Sequence, residues 1–121
     1  MNETIESFYR AMQQGPDGIE SLVALLARDA VWVEPFTGWT HEGHDAIRTF
    51  LEGSTGRLPD VRITVERIEV AADALTTSWV CESSALAKPF RGRDRFTIRD
   101  GRIARLETTL VEPPELRVPR N

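Results

Sequence analysis

Phe90-Arg91-Gly92-Arg93-Asp94-Arg95-Phe96-Thr97-Ile98-Arg99-Asp100-Gly101-Arg102-Ile103 reads as two strands and the turn between them. Successive side chains of a strand point to opposite faces, so Arg91, Arg93, Arg95, Thr97 and Arg99 share one face. Phe90, Gly92, Asp94, Phe96 and Ile98 share the other. The arginine face is the solvated one, and the second face must look into a core. Asp100-Gly101 is a strong hairpin turn signal, and residues 102 to 111 return as the last strand. Asp94 is the anomaly, an acid on an apolar face. It must either find a partner or raise its pKa and stay protonated. The bland alternative is an ion pair with a neighbour, or a place at the wet rim of the sheet.

Hairpin register decides the partner. A two-residue turn sets Asp94 opposite Glu107 and Phe96 opposite Arg105. A three-residue turn with a glycine bulge sets Asp94 opposite Leu106 and Phe96 opposite Ala104. The second matches apolar with apolar and is preferred. It leaves Asp94 without a charged partner across the strand.

Working back toward the N-terminus, Leu75 to Leu86 reads as a long strand. Val61, Ile63 and Val65 alternate, and Ile68 and Val70 continue in the opposite phase. That slip predicts a bulge near Glu66-Arg67, as a curved sheet needs. Before Pro59 the pattern is helical. Ile5, Phe8, Tyr9 and Met12 mark one helix face, stopped by Gly15-Pro16. Asp17 three residues before Glu20 opens a second helix with the stripe Ile19, Leu22, Val23 and Leu26. Asp29 to Glu34 is a strand closed by Pro35, and Phe36 to His44 a loop. Asp45 opens a third helix with Ile47, Phe50 and Leu51 on one face and Gly53 as its stop. Three helices and a run of antiparallel strands predict an α+β layer arrangement: a cone-shaped, curved antiparallel sheet against helices from the N-terminal half. The mouth of such a cone is a natural pocket.

The 121 residues suit one domain, expected over residues 1–112, with a loose proline-rich tail at 113–121. Hydrophobic residues at 40% and charged residues at 28% are ordinary globular usage. A net charge of −4 argues against a nucleic-acid partner. Cys81 is the single cysteine, which excludes an internal disulfide framework and fits a reducing compartment. The first residues lack a basic and then apolar leader pattern, and no apolar run reaches the ~20 residues a membrane span needs. A cytoplasmic location is expected.

A second acid joins Asp94. Glu34 shares a strand face with Trp32 and stands where Pro35 breaks the strand. By itself it reads as a solvated strand end. With Asp94 it offers a division of labour, one carboxylate ionised as a base and one protonated as a hydrogen-bond donor.

Asp17-Gly18-Ile19 with Leu22, Asp29-Ala30-Val31-Trp32-Val33-Glu34-Pro35, and Gly43 with Ala46-Ile47-Arg48 and Phe50 resemble the first half of the ketosteroid isomerases and SnoaL-like polyketide cyclases. Asp94-Arg95-Phe96 and Asp100-Gly101-Arg102-Ile103 are similar to their C-terminal hairpin. The resemblance runs from about Ile5 to Leu110. It implies the nuclear transport factor 2-like or cystatin-like roll and a homodimer. It puts Glu34 at the proton-shuttling carboxylate, and Asp94 at the protonated aspartate of the oxyanion hole. The family's oxyanion tyrosine falls on Phe8, not on Tyr9, which is rotated roughly 100° around the helix. An epoxide-hydrolase arrangement fits less well, because Arg93 faces away from Asp94 and Thr108 stands where the last aspartate belongs.

His41-Glu42-Gly43-His44 has the wrong spacing for the helical two-histidine zinc motif. His41 is expected at the pocket mouth at most. Cys81 reads as a buried structural thiol, and Gly38 and Gly43 as turn glycines. The residues expected to line the pocket are Phe8, Tyr9, Trp32, Trp39, Phe50, Trp79 and Phe96. The expected activity is proton transfer next to a carbonyl of a small apolar molecule, steroid- or polyketide-like, with neither cofactor nor metal. A non-catalytic apolar-ligand module or a dimeric scaffold of the same fold is the alternative.

Overall fold

The first helix follows from its ends as much as from its stripe. Asn2 caps it, its side-chain oxygen accepting the Thr4 backbone N–H at 2.7 Å, with Glu3 and Glu6 in the first turn and Arg10 in the last. This helix, α1 (Glu3–Met12), buries Ile5, Phe8, Tyr9 and Ala11. Gly15, at φ 63°, turns the chain out of it into a 3₁₀ turn at Gly15–Gly18. The short α2 (Ile19–Val23), α3 (Gly43–Ser54) and six strands complete the computed structural model, which describes residues 2–35, 37–54 and 58–118. The strands are β1 (Leu26–Val33), β2 (Thr40–Glu42), β3 (Arg62–Val70), β4 (Ala74–Glu82), β5 (Phe90–Arg99) and β6 (Arg102–Leu110). Phe36 and Pro119, which belong to the expected loop and tail, lie outside the described residues.

The strands form one sheet in the order β2-β1-β6-β5-β4-β3. Every neighbouring pair is antiparallel except β1 with β6, so the sheet is mixed where an antiparallel one was expected. The phase slip in β3 is real: register shifts between Val65 and Arg67 against β4. A second irregularity, between Thr97 and Ile98, decides the hairpin. Asp100 and Gly101 are both at positive φ, a two-residue turn that pairs Arg99 with Arg102 and Ile98 with Ile103. An extra residue, Ala104, then bulges from β6, so Thr97 meets Arg105 and Phe96 meets Leu106. Neither expected register is correct at Asp94, which faces Thr108. The bulge keeps the tight turn and still sets apolar against apolar.

Other boundaries also move. Residue 26, expected to end the second helix stripe, starts β1 because Leu26 pairs with Ile103 and the Leu25 carbonyl accepts the Ile103 N–H at 2.9 Å. The expected loop before α3 contains β2, which hairpins onto β1. The fourth strand stops at Glu82, where the Ser83 and Ser84 hydroxyls turn to Asp60. Part of the stretch expected to be loose is tied down: Leu86 bridges Leu116, and Ala87 N–H bonds the Glu115 carbonyl at 2.8 Å.

Helices cover the inner face, where Ile5, Phe8, Leu22, Ile47, Leu51, Phe96, Ile103 and Leu106 are almost fully buried. Along β5 burial alternates as the sequence dictates, with Phe90, Gly92, Asp94 and Phe96 inside and the intervening arginines out. Three of those arginines meet acids on the outer face, Arg91 with Glu66, Arg95 with Glu107 and Arg99 with Asp29. No helix among the described residues is long and apolar enough to cross a membrane.

Candidate functional site

Asp94 sits on the middle strand of three, between Thr77 of β4 and Thr108 of β6. All three side chains enter the core, since alternation puts them on the inner face in one row. The α1 helix lays Tyr9 over this row. Its hydroxyl lies 2.6 Å from Asp94 Oδ2 and 2.5 Å from Thr77 Oγ1. Thr108 donates to Asp94 Oδ1 at 2.8 Å, and the Trp32 indole N–H donates to Thr108 Oγ1 at 3.2 Å. Two hydroxyl groups thus hold the carboxyl group, and each has a further contact behind it. Phe8 packs edge-on to Tyr9 and Phe96 at ring distances of 5.1 and 5.2 Å. The helix therefore gives its apolar ring to the core and its phenol to the acid. The residue that reaches Asp94 is Tyr9 and not Phe8, because α1 is turned so that Tyr9 faces β4 and β5.

Burial drives the Asp94 pKa up to about 6, and the hydrogen bonds from Tyr9 and Thr108 restrain the rise by favouring the ionised form. The Tyr9 phenol is held well above its ordinary value, first by burial and then by the charge of Asp94. Trp79 adds a weaker restraint on Asp94. Its Nε1–H is nevertheless buried with no partner in proper hydrogen-bond geometry among the described residues. Gly92 makes room for that indole: a Cβ there would meet the Trp79 ring at 2.5 Å and the Thr109 carbonyl oxygen at 2.9 Å.

Glu34 stands in a different setting. It follows the last residue of β1, and its N–H bonds the Trp39 carbonyl across the turn at 3.0 Å. One side-chain oxygen accepts the Thr37 hydroxyl, and the other lies 2.9 Å from His41 Nε2. These bonds, Thr37 first and His41 second, hold its pKa below the usual glutamate value against the opposing effect of burial. Its side chain is 12% exposed and that of His41 20%. The His41 ring stacks on Phe50 at 4.3 Å, and Phe50 meets Trp32 edge-on at 5.5 Å. A continuous path of contacts joins the two carboxyl groups, from Glu34 through His41, Phe50, Trp32 and Thr108 to Asp94.

Of the expected lining residues, Phe8, Tyr9, Trp32, Phe50 and Phe96 form one aromatic cluster on the inner face. Trp79 packs separately against Phe90 at 5.6 Å. Trp39 is 69% exposed and does not join the cluster. A hollow of about 480 Å³ lies between α1 and the edge strand β3, lined by Glu6, Tyr9, Arg10, Gln13 and residues 63–65. Tyr9 is shared between this hollow and the Asp94 network. Cys81 is buried, and burial pushes its thiol pKa up to about 11, as suits a structural role. Among the described residues no three His, Cys, Asp or Glu side chains gather as a metal site.

The sequence missed Thr77 and Thr37, and met Thr108 only as a departure from the epoxide-hydrolase arrangement. Thr77 had a signal, since it alternates with Leu75, Trp79 and Cys81. Thr108 depended on the bulge, and Thr37 on the turn.

A curved sheet backed by helices, with a hydroxyl-bound carboxyl group inside and a second carboxylate at a strand end, defines the class. The SnoaL-like domain family matches residues 5–106, and the chain belongs to it. Among solved structures, a candidate polyketide cyclase of Sinorhizobium meliloti is similar at 23% identity, TM-score 0.76, over 90% of this chain and 95% of that one. A candidate ketosteroid isomerase of Kribbella flavida is similar at 18% identity, TM-score 0.74, over 99% and 82%. An LEH-like epoxide hydrolase of M. tuberculosis is similar at 22% identity, TM-score 0.71, over 90% and 80%. At these identities the likeness is one of fold. No curated protein matches the chain.

Proposed function

We propose that this protein is a small-molecule enzyme that moves a proton next to a carbonyl, as a double-bond isomerase or a cyclase. The observation that carries the reading is the 2.6 Å contact between Tyr9 and the buried Asp94. With a pKa of about 6, a minor share of Asp94 is protonated at neutral pH, and in that form the carboxyl donates to the Tyr9 oxygen and frees the phenol O–H for an enolate oxygen. The base is at Glu34, which its hydrogen bonds keep ionised at neutral pH. The substrate is a small, largely apolar carbonyl compound, steroid- or polyketide-like, matched to the aromatic cluster. The test is isomerisation of a β,γ-unsaturated 3-ketosteroid, followed by ultraviolet absorbance, for the natural chain beside Glu34→Gln and Asp94→Leu. Turnover that falls in both variants supports the assignment. Absence of turnover in the natural chain rejects the isomerase form of it.

The filling of the inner face by aromatic rings favours a second reading, a non-catalytic module for an apolar ligand. Its affinity for the same steroid should then be indifferent to the protonation of Glu34. Pairing of two copies through the outer face of β4–β6 completes the proposal, and sedimentation equilibrium of the full chain checks it. The alternating charges on that face suit a polar, wet interface.

A further inference from the structure

We infer that the base is the Glu34–His41 pair, in which Glu34 positions the ring and His41 Nδ1 takes the proton. The inference rests on the proposed proton transfer and moves the accepting atom by one residue. Both Glu34 oxygens are already engaged, one by the Thr37 hydroxyl and the other by His41 Nε2. Each of these bonds stabilises the charged carboxylate and weakens it as a proton acceptor. The imidazole stands in the complementary position. A carboxylate only accepts, so the 2.9 Å contact requires the proton on Nε2. The neutral ring then keeps its lone pair on Nδ1. This is the arrangement of a nitrogen base oriented by a carboxylate.

The fold builds this pair deliberately into the inner side of the sheet. His41 is the cross-strand partner of Trp32, so it shares the inner face with Trp32 and sits diagonal to Glu34. Phe50 of α3 stacks on the ring with planes 16° apart, which fixes the ring plane about the Nε2 contact. Trp32 packs on that same Phe50 and donates to Thr108, the partner of Asp94. His44, the other histidine, serves as an internal control, since its Nε2 bonds the Leu26 carbonyl at 3.0 Å. In the proposed step the C–H bond next to the carbonyl breaks, its proton forms an N–H bond at Nδ1, and the electron pair moves onto the carbonyl oxygen facing Asp94. The return of that proton to another carbon, or attack of the enolate on an electrophile, closes the cycle.

The test uses the full chain with His41→Gln, Glu34→Gln and Glu34→Ala, each checked for folding by circular dichroism. Proton–nitrogen correlation spectra of the two histidine rings report their tautomers without any substrate. His41 should carry its proton on Nε2 in the natural chain and become a tautomer mixture in Glu34→Ala, while His44 stays unchanged. A proton on Nδ1 in the natural chain, or no response to Glu34→Ala, overturns the inference. Diethyl pyrocarbonate, which acylates bare ring nitrogens, should modify His41 at Nδ1; a His41 left intact in the folded chain overturns it. With the steroid, His41→Gln keeps an amide N–H for Glu34 but has no basic nitrogen, so kcat should fall by about 10² or more with KM unchanged. Retained kcat in His41→Gln with loss in Glu34→Gln assigns the base to Glu34 alone. No turnover in the natural chain counts against the isomerase reading, and the spectra and the acylation then decide His41.

Discussion

The two carboxyl groups of the candidate site are both held by two hydrogen-bonding partners, yet they are pushed in opposite directions. Asp94 lies in the middle of the sheet, 4% exposed, and burial lifts its pKa to about 6 despite Tyr9 and Thr108. Glu34 lies at a strand end, and there Thr37 and His41 win over burial and lower its pKa. The number of partners is the same, so the difference teaches that depth decides. At Asp94 the desolvation cost, which grows steeply once water is excluded from every side, outweighs the hydrogen bonds, and at Glu34 the hydrogen bonds outweigh it. One sheet therefore holds a carboxyl group ready to be neutral and another ready to be charged.

The sharpest way to break the comparison is to remove each function in turn. Turnover of a ketosteroid should fall by about 10²–10³ in Asp94→Leu, measured as kcat, because the proposed carboxyl donor is lost. Tyr9→Phe should follow with a comparable loss in kcat. It should also destabilise the fold by about 1–3 kcal/mol in urea titrations, since the buried Thr77 hydroxyl loses its partner. Gly92→Ala should cost about 1–3 kcal/mol in the same titration, as its Cβ would force the Trp79 ring off its place beside Asp94. Pairing it with Trp79→Leu should recover only the part due to the ring, because the Cβ would still meet the Thr109 carbonyl oxygen at 2.9 Å.

The comparison then sharpens with pH. A raised folded-state pKa means that the native state binds the Asp94 proton more tightly than the unfolded chain. Asp94 should therefore lower stability as pH rises from about 4 to about 6, by on the order of 3 kcal/mol at most. Asp94→Asn should flatten that slope in thermal unfolding followed across the window. Glu34 carries the opposite sign: its lowered pKa gives stability that is present above the ordinary glutamate range and lost as pH falls through the folded value. Because it sits at a partly wet strand end, Glu34→Gln should change the unfolding midpoint least of all, under about 1 kcal/mol. A large loss of stability there would erase the contrast between the two regions.

Much of this was legible in the residues. The β5 alternation put Asp94 inside and the arginines outside, and the phase slip at Glu66-Arg67 announced the bulge. Glu34, which by itself read as a solvated strand end, came forward only through its pairing with Asp94. Three things were not legible. The hairpin followed neither simple register, because a tight turn and a bulge at Ala104 act together and only the second sets Thr108 against Asp94. The choice between Phe8 and Tyr9 depended on how α1 rolls over the sheet, which spacing along one helix leaves free by most of a turn. His41 looked like a loop residue because β2 is only three residues long and gains its strand form from pairing with β1.

What the sequence determined by itself is the set of faces: which residues of each helix and strand turn inward, and hence the α+β cone and the two acids within it. That follows from periodicity, a property of each segment by itself. The tertiary structure decided the partners. Thr77 and Tyr9 are 68 residues apart, and Tyr9 and Asp94 are 85 apart. Contacts over such distances depend on register, bulges and helix roll, each fixed by packing between segments and by none of them singly. Whether an inward acid is pushed toward its neutral or its charged form is settled at that level.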